Sequence, residues 1–224
     1  MKFLRAFFAF ARRTWAFFVP YGLWLALAGL FVLAADRGEL HLTLNTLNVY
    51  GGDAFYRAIT WLGDRRVAWA VGLLLCFRGV RQGVAVLAAV IAAGLATEAL
   101  KYGVYGPMPR PVAYFGEPSP LYLVPGFENK LDYTMPSGHA AIAFALFTSL
   151  ALQTRVRSWQ LGCIALALTA AYSRVHLSEH FLHDVYAGSL LGVLCGLLAH
   201  AVVRPLRRDE EAASHCNAPA APVT

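Results

Sequence analysis

The sequence predicts an all-α protein, a bundle of six transmembrane helices, and three observations support this fold class. Hydrophobic residues make up 58% of the chain and charged residues only 14%, a balance typical of integral membrane proteins. Long apolar runs alternate with short polar blocks. The 224 residues leave room for about six membrane helices and no separate soluble domain. We therefore expect one membrane-embedded domain at residues 1–206 and a disordered cytoplasmic tail at 207–224.

Six apolar runs supply the predicted spans. They cover residues 15–35, 67–77, 82–100, 140–153, 159–172 and 185–203. The first, third and sixth approach the ~20 residues that a helix needs to cross a bilayer. The first also follows a basic N-terminus, but its length favours an uncleaved helix over a signal peptide.

The other three runs are short, and each has a local explanation. The second becomes long enough if its helix begins near Gly63 and the side chains of Arg65 and Arg66 extend toward the interface. The fourth and fifth adjoin polar blocks. These blocks can supply the missing turns if they are surrounded by protein and not by lipid.

The distribution of basic residues predicts the orientation of the bundle. With six spans both termini lie on one side, where the loops hold eleven of the nineteen Lys and Arg residues. These eleven are Lys2, Arg5, Arg12, Arg13, Arg78, Arg81, Arg155, Arg157, Arg204, Arg207 and Arg208. The positive-inside rule then puts both termini in the cytoplasm and the polar blocks on the outer, periplasmic face of the inner membrane. The basic net charge is thus a topology signal, and no basic-aromatic platform for a nucleic-acid partner accompanies it.

The first polar block follows the third span. Lys101 comes directly after that apolar run, and residues 103–111 break the helix with two glycines and three prolines. Such a turn can fold Arg110 back toward Lys101. Arg offers phosphate oxygens a planar fork of donors, and Lys offers them a point charge. The structural alternative is a pair of cations whose side chains extend to the membrane interface. Ionisable groups are costly in hydrocarbon, however, and beside the other two blocks this pair indicates a functional site.

The second block opens the fourth span with Pro136, Ser137, Gly138 and His139. Pro136 can start a helix, and the free N–H groups at a helix N-terminus form an anion-binding site. The structural alternative is that Ser137 is an ordinary N-cap.

The third block contains Ser173 and Arg174, then His180 after five residues and Asp184 after three more. His180 and Asp184 share one face if the sixth helix has begun there. A carboxylate bonded to one imidazole nitrogen fixes the tautomer and leaves the other nitrogen with a lone pair. His180 is therefore a candidate nucleophile.

Two other residue types near this block allow further interpretations. His176 and His183 could form a helical metal site together with His180 and Asp184. Glu179 and Glu98 are expected to pair with neighbouring cations in structural roles.

In their order and spacing, the three blocks resemble the type 2 phosphatidic acid phosphatase (PAP2) family of integral membrane lipid phosphatases. The resemblance covers about residues 98–190 and implies a six-helix bundle of the PAP2/haloperoxidase-like type that requires no metal or other cofactor. It implies that His180 attacks phosphorus to form a phosphohistidine, that Asp184 stabilises the charged ring, and that His139 is the acid and base. The residues that it assigns to the phosphate oxygens are Lys101, Arg110, Ser137, Gly138 and Arg174.

The first block departs from the family pattern, which has six residues between Lys and Arg-Pro. Here eight residues separate Lys101 from Arg110. Two extra residues must therefore bulge out if the Lys101 ammonium is to reach the phosphate.

The predicted function is hydrolysis of a lipid phosphate or lipid diphosphate. The candidate substrates are undecaprenyl diphosphate, phosphatidylglycerol phosphate, phosphatidic acid and lipid A. The lipid of the surrounding membrane is the other expected partner. One alternative is a lipid phosphotransferase that uses the same phosphohistidine. Another is a non-catalytic membrane protein that transports an anion or a metal. The soluble vanadium haloperoxidases resemble the family in these motifs, but the apolar spans argue against that class.

Overall fold

A computed structural model describes the backbone of residues 2–216 and the side chains of residues 10–48 and 51–203. Within that part of the chain all regular elements are helical, which confirms the all-α prediction. The helices are α1 (Lys2–Ala34), α2 (Arg37–Asn45), α3 (Asp53–Ile59), α4 (Arg65–Arg78), α5 (Val80–Leu100), α6 (Pro111–Phe115), α7 (Gly138–Leu152), α8 (Arg157–His176) and α9 (Leu182–Cys216). Short 3-10 turns occupy Thr46–Tyr50 and Thr60–Gly63, and a π-helical turn occupies Lys101–Tyr105.

The six predicted spans fall on α1, α4, α5, α7, α8 and α9. Three stretches of the described chain are long and apolar enough to cross a membrane, namely Phe10–Ala34, Val80–Tyr105 and Leu182–Val203, so this is a membrane protein. Helices α4 and α7 have only 14 and 15 residues, about 21–23 Å at 1.5 Å per residue. The count of six spans therefore stays a prediction.

Helix α7 is the centre of the bundle. Twelve of its fifteen residues are buried, so it is enclosed on all sides by protein, which explains how such a short apolar helix avoids lipid. It packs against α5, α8 and α9. The closest approach is to α9, where Gly188, Gly192 and Gly196 face α7; a Cβ atom added at Gly192 would lie 2.3 Å from the carbonyl oxygen of Ala141.

Hydrogen bonds between helix ends show how the bundle is arranged. Arg13 in the first half of α1 donates to the carbonyl of Leu152 at the end of α7 over 3.0 Å. At the opposite end, His183 in the first turn of α9 lies 3.1 Å from the carbonyl of Val32 at the end of α1. The ends of α5 and α8 and the starts of α7 and α9 share this second end, which we call the site end.

Polar side chains of the α2–α3 connection hold the loops of the site end together. Asn45 donates to the carbonyl of Tyr122 over 3.0 Å and accepts from its amide over 2.7 Å. Asn48 donates to the carbonyl of His176 over 2.8 Å. Neither α2 nor α3 was expected from the apolar pattern. Helix α2 begins where Asp36 caps it by accepting from the amide of Gly38 over 2.8 Å.

The predicted tail at 207–224 is only partly covered. Helix α9 runs to Cys216, and residues 217–224 lie outside the described residues, so the disorder of this tail stays a prediction.

Candidate active site

The three polar blocks meet in one cavity of about 610 Å³ at the site end of the bundle. The predicted residues that line it are Lys101, Arg110, Gly138, His139, Arg174 and His180. The other two, Ser137 and Asp184, are 0% and 1% exposed and lie in the layer behind the lining. The fold thus brings together all eight predicted site residues, which lie at five helix ends: the ends of α5 and α8 and the starts of α6, α7 and α9.

Two buried arginines share one carboxylate on the wall of this cavity. Nη1 of Arg110 donates to the Glu179 carboxylate, and Nη2 of Arg174 donates to Oε2 of Glu179 over 3.1 Å. This confirms the expected pairing of Glu179 with neighbouring cations. Burial lowers the pKa of Arg110, and the charge of Glu179 opposes that effect, so the guanidinium stays protonated. Two carboxylates, Glu179 and the Asp184 group behind the lining, face the three cations Arg110, Arg174 and Lys101, which leaves an excess of one positive charge.

Additional bonds fix the direction of each arginine fork. Nε of Arg110 donates to the carbonyl of Asp132 over 2.8 Å. Nη1 of Arg174 donates to the hydroxyl of Thr60 over 2.8 Å. Both side chains are only 5% exposed, and preorganised donors of this kind suit an anion with several oxygens.

His180 and Asp184 are close, but the geometry differs from a shared helix face. Helix α9 begins at Leu182, two residues after His180. Nδ1 of His180 lies 3.5 Å from Oδ2 of Asp184 and 3.4 Å from Oγ1 of Thr134, so both contacts are long for a hydrogen bond. Oδ2 of Asp184 instead accepts from the amide of Phe181 over 2.9 Å, as a helix-capping carboxylate does. The buried hydroxyl of Thr134 reaches both groups.

The electrostatic surroundings keep His180 neutral. Burial is the main cause, and the charges of Arg110, Arg174 and Lys101 add to it; together they hold the pKa of His180 well below its usual value. A neutral imidazole retains a lone pair on one ring nitrogen. Because His180 lines the cavity, such a lone pair is suited to attack an electrophile there.

His139 enters the cavity from the first turn of α7. The 3-10 turn Thr60–Gly63 packs against its backbone: a Cβ atom added at Gly63 would lie 2.7 Å from the carbonyl oxygen of His139. Only glycine permits this approach. The same turn supplies Thr60, so it touches two predicted site residues, Arg174 and His139.

Ser137 has the N-cap geometry that was the structural alternative. Its hydroxyl oxygen accepts from the amide of Ala140 over 3.4 Å, and its own amide donates to the carbonyl of Asp184 over 2.9 Å. Capping uses the oxygen as an acceptor, so the hydroxyl proton remains available to donate. Gly138, the next residue, lines the cavity in the first turn of a 15-residue helix, where amides point toward an anion.

Lys101 reaches the cavity through a change in helix type. The amide of Gly106 donates to the carbonyl of Lys101 over 2.8 Å, an i to i+5 bond that defines a π-helical turn. A π turn holds more residues than an α turn. The extra length between Lys101 and Arg110 is absorbed partly in this turn, and both residues line one cavity.

The side chains of the alternative metal site diverge. Nε2 of His176 bonds to Asp53 over 2.9 Å, and Nε2 of His183 faces the carbonyl of Val32. Across the described residues no group of three His, Cys, Asp or Glu side chains is arranged to hold a metal ion. Glu98, the other carboxylate expected to pair with a cation, does so with Arg65 over 2.9 Å.

Sequence reasoning did not identify Thr134 or Thr60. Thr134 lies two residues before Pro136, so its position beside a motif was the only signal that the sequence offered. Thr60 lies in a segment with no motif and could be found only from the fold.

The chain is similar to several known proteins. The family model described as the PAP2 superfamily matches residues 82–208. An undecaprenyl-diphosphatase of Sulfolobus acidocaldarius is 30% identical over 172 residues, which is 75% of this chain and 76% of that protein. Dolichyldiphosphatase 1 of Dictyostelium discoideum is 36% identical over 91 residues, 36% of this chain and 40% of its own length.

A solved structure has the same fold. The crystal structure of LpxE from Aquifex aeolicus matches with a TM-score of 0.57 and 22% identity, covering 66% of this chain and 84% of that one. The matches confirm the prediction of a membrane phosphatase. Because this family model matches more than half of its residues, the chain belongs to the PAP2 superfamily.

Proposed function

We propose that this protein hydrolyses a lipid diphosphate of the undecaprenyl diphosphate type through a phosphohistidine on His180. The observation that carries this proposal is the cavity in which His180 and His139 face three cations, Lys101, Arg110 and Arg174. Phosphoryl transfer depends mainly on positioning and on neutralising charge on the phosphate oxygens. This cavity offers both, together with a nucleophile.

The first step forms the covalent intermediate. The free ring nitrogen of His180 attacks the terminal phosphorus in line, so that an N–P bond forms as the bond from phosphorus to the leaving oxygen breaks. Arg110 and Arg174 bind the equatorial oxygens with their forks. The Gly138 amide, the Ser137 hydroxyl proton and the Lys101 ammonium complete the binding set. Asp184 stabilises the imidazole when it gains positive charge.

The second half of the reaction depends on His139. His139 begins the first step as an imidazolium, the form favoured by the negative charge of the bound phosphate, and gives that proton to the departing lipid phosphate oxygen. It then takes a proton from a water molecule that attacks the phosphohistidine, the N–P bond breaks, and inorganic phosphate leaves. His139 thus acts first as the acid and then as the base. The proposed reaction requires no cofactor.

The substrate class follows from the position of the site and from the relatives. The cavity lies at one end of a bundle of apolar helices, where a lipid headgroup can enter while its chains stay in the membrane. The names of both curated relatives specify a lipid diphosphate. We place this end on the outer face of the membrane, because the loops at the opposite end hold most of the basic residues.

The test is phosphate release from a panel of lipids by the purified protein in detergent. Undecaprenyl diphosphate, phosphatidylglycerol phosphate, phosphatidic acid and lipid A are compared, with and without a lipid or sugar acceptor. We expect the highest kcat/KM with undecaprenyl diphosphate and no transfer to the acceptor. A transferred phosphate would show a phosphotransferase. No turnover with any lipid would contradict the proposal.

A further inference from the structure

The buried hydroxyl of Thr134 lies between the two groups that the mechanism needs to couple. Its Oγ1 bonds to Oδ2 of Asp184 and lies 3.4 Å from Nδ1 of His180. The direct separation of Asp184 and His180 is 3.5 Å. Thr134 is 0% exposed, so water does not compete for these bonds.

The backbone on both sides of Thr134 is held in place. Its amide donates to the carbonyl of Met108 over 3.2 Å, and the amide of Arg110 donates to the carbonyl of Leu131 over 2.7 Å. Tyr133 has φ 58°, a left-handed conformation that is unfavourable for a residue with a side chain. Local preference alone would not choose this conformation, which indicates that tertiary contacts fix the position of the next side chain.

The chemistry of the three groups assigns the protons. An ionised carboxylate can only accept, so the hydroxyl proton of Thr134 goes to Asp184. The hydroxyl oxygen then accepts from His180, which requires hydrogen on Nδ1. The lone pair of His180 is thereby confined to Nε2, the ring nitrogen farther from Thr134. When phosphorylation makes the ring positive, the same bond transmits the charge of Asp184.

We propose that Thr134 is a positioning residue that fixes the tautomer of His180 and relays the charge of Asp184 to it. The inference rests on the proposed function, in which His180 is the nucleophile. It assigns to a hydroxyl the orienting role that direct carboxylate contact would otherwise have.

The kinetic test compares two variants of the full-length protein. Thr134→Val keeps the branched shape and removes the hydroxyl, whereas Thr134→Ser keeps the hydroxyl. We expect Thr134→Val to slow phosphohistidine formation by about 10- to 100-fold, less than complete loss of the orienter because Asp184 remains nearby. Thr134→Ser should stay within about threefold of the parent. The rate is measured by rapid quench with labelled substrate.

A spectroscopic test separates positioning from folding. Nitrogen NMR of protein labelled at histidine, with the His180 signal assigned by its loss in His180→Asn, reports which ring nitrogen carries hydrogen. We expect Nδ1–H in the parent and in Thr134→Ser, and a mixture of tautomers in Thr134→Val.

The outcomes separate the two proposals. If the parent itself forms no phosphohistidine, the proposed function fails, while the tautomer measurement still tests Thr134. If the parent forms it and Thr134→Val forms it equally fast, or loses rate with an unchanged tautomer, the role of Thr134 is wrong. Equal loss in Thr134→Ser would also overturn it.

Discussion

A buried carboxylate between two arginines sets the charge of the phosphate site. Glu179 is 3% exposed, and its Oε1 also accepts from the amide of Lys130 over 3.1 Å. Without an anion in the cavity, Glu179 is the counterion that makes burial of Arg110 and Arg174 tolerable. Its carboxylate orients both forks, and the excess cationic charge remains for the substrate.

Removal of Glu179 should destabilise the protein. Glu179→Ala leaves two buried guanidinium groups without their partner, which costs roughly 3–5 kcal/mol, so we expect a lower Tm in detergent. Vanadate should then raise the Tm of the variant more than that of the parent, because the anion replaces the missing carboxylate. The matched control is Glu98→Ala, whose ion pair with Arg65 is exposed and is worth about 0–1 kcal/mol. An equal response to vanadate in Glu179→Ala and the parent would contradict this role.

The roles proposed for His180 and Asp184 give a second prediction. His180→Ala should abolish turnover because no nucleophile remains. Asp184→Asn should lose roughly 10^3 to 10^4 in kcat, by analogy with tautomer loss in serine triads, while the fold is kept because an amide oxygen can still accept from Phe181. The control is His183→Ala, since His183 faces Val32 and should keep most activity. Steady-state rates measure the activity of each variant, and circular dichroism checks its fold. More than a tenth of parental activity in His180→Ala or in Asp184→Asn would reject the assignment.

A buried histidine on α2 should make stability fall in acid. His41 lies against Phe115 and Phe181, and burial lowers its pKa from 6.5 to about 4. Below pH 6.5 the unfolded state binds a proton that the folded state excludes, so this contribution to stability is lost as the pH falls toward 4. We expect the Tm of the parent to fall over this range and that of His41→Gln to fall less steeply. Parallel Tm curves would show that His41 is not responsible.

Glycines on α9 determine how closely the two central helices approach. Gly188, Gly192 and Gly196 are spaced by four residues and face α7, where side chains would overlap with Ser137, Ala141 and Thr148. Small residues at this spacing allow close backbone contact between membrane helices. This contact also sets the distance between the start of α7, with His139, and the start of α9, with Asp184.

Enlarging one of these glycines should therefore impair stability and activity together. Gly192→Ala places a Cβ atom 2.3 Å from a backbone oxygen, and we expect a loss of about 1–3 kcal/mol from overpacking. We also expect lower kcat, because the helices that carry the site must separate. Gly162→Ala on α8 meets nothing within 4 Å, so it should be neutral or slightly stabilising. Thermal unfolding and kcat of both variants check this. Equal behaviour of the two would show that α7–α9 contact does not limit the site.

The six apolar helices and the motif residues could be predicted from the sequence, because hydrophobic runs and ionisable groups in a membrane protein follow strong physical rules. Helix α4 begins one residue after Asp64, close to the expected start near Gly63, and Asp64 caps it. The connection 35–63 could not be predicted, since α2 and α3 are short and depend on tertiary contacts such as that of Asn45 with Tyr122. Thr134 was missed for the same reason, because its partners are 46 and 50 residues away in the chain.

For the molecule as a whole, contacts among α1, α7 and α8 define the end of the bundle that lies opposite the site. Arg13 in α1 contacts Leu152, and Gln160 in α8 donates to the carbonyl of Arg13 over 2.9 Å. These contacts lie at the end of the bundle opposite the cavity. The six-span topology, the single domain at 1–206 and the cytoplasmic termini remain predictions that one experiment can address.

Reporter fusions test that topology. A reporter fused after Thr224 should be active in the cytoplasm, and one inserted near Glu117 in the loop between α6 and α7 should be active outside, because both termini are predicted to lie opposite the site. Insertion after Arg155, between α7 and α8, serves as the cytoplasmic control. Reporters at 117 and 224 in the same compartment would exclude the six-span arrangement.

The π-helical turn at Lys101–Tyr105 has a consequence for finding similar proteins. A turn that takes up additional residues lets evolution lengthen the chain here without rotating the part of α5 that precedes it. We therefore expect the interval between this lysine and the following Arg-Pro to vary among related sequences. A text search with the interval fixed at six residues would overlook this chain, whereas a search that tolerates two additional residues would retrieve it.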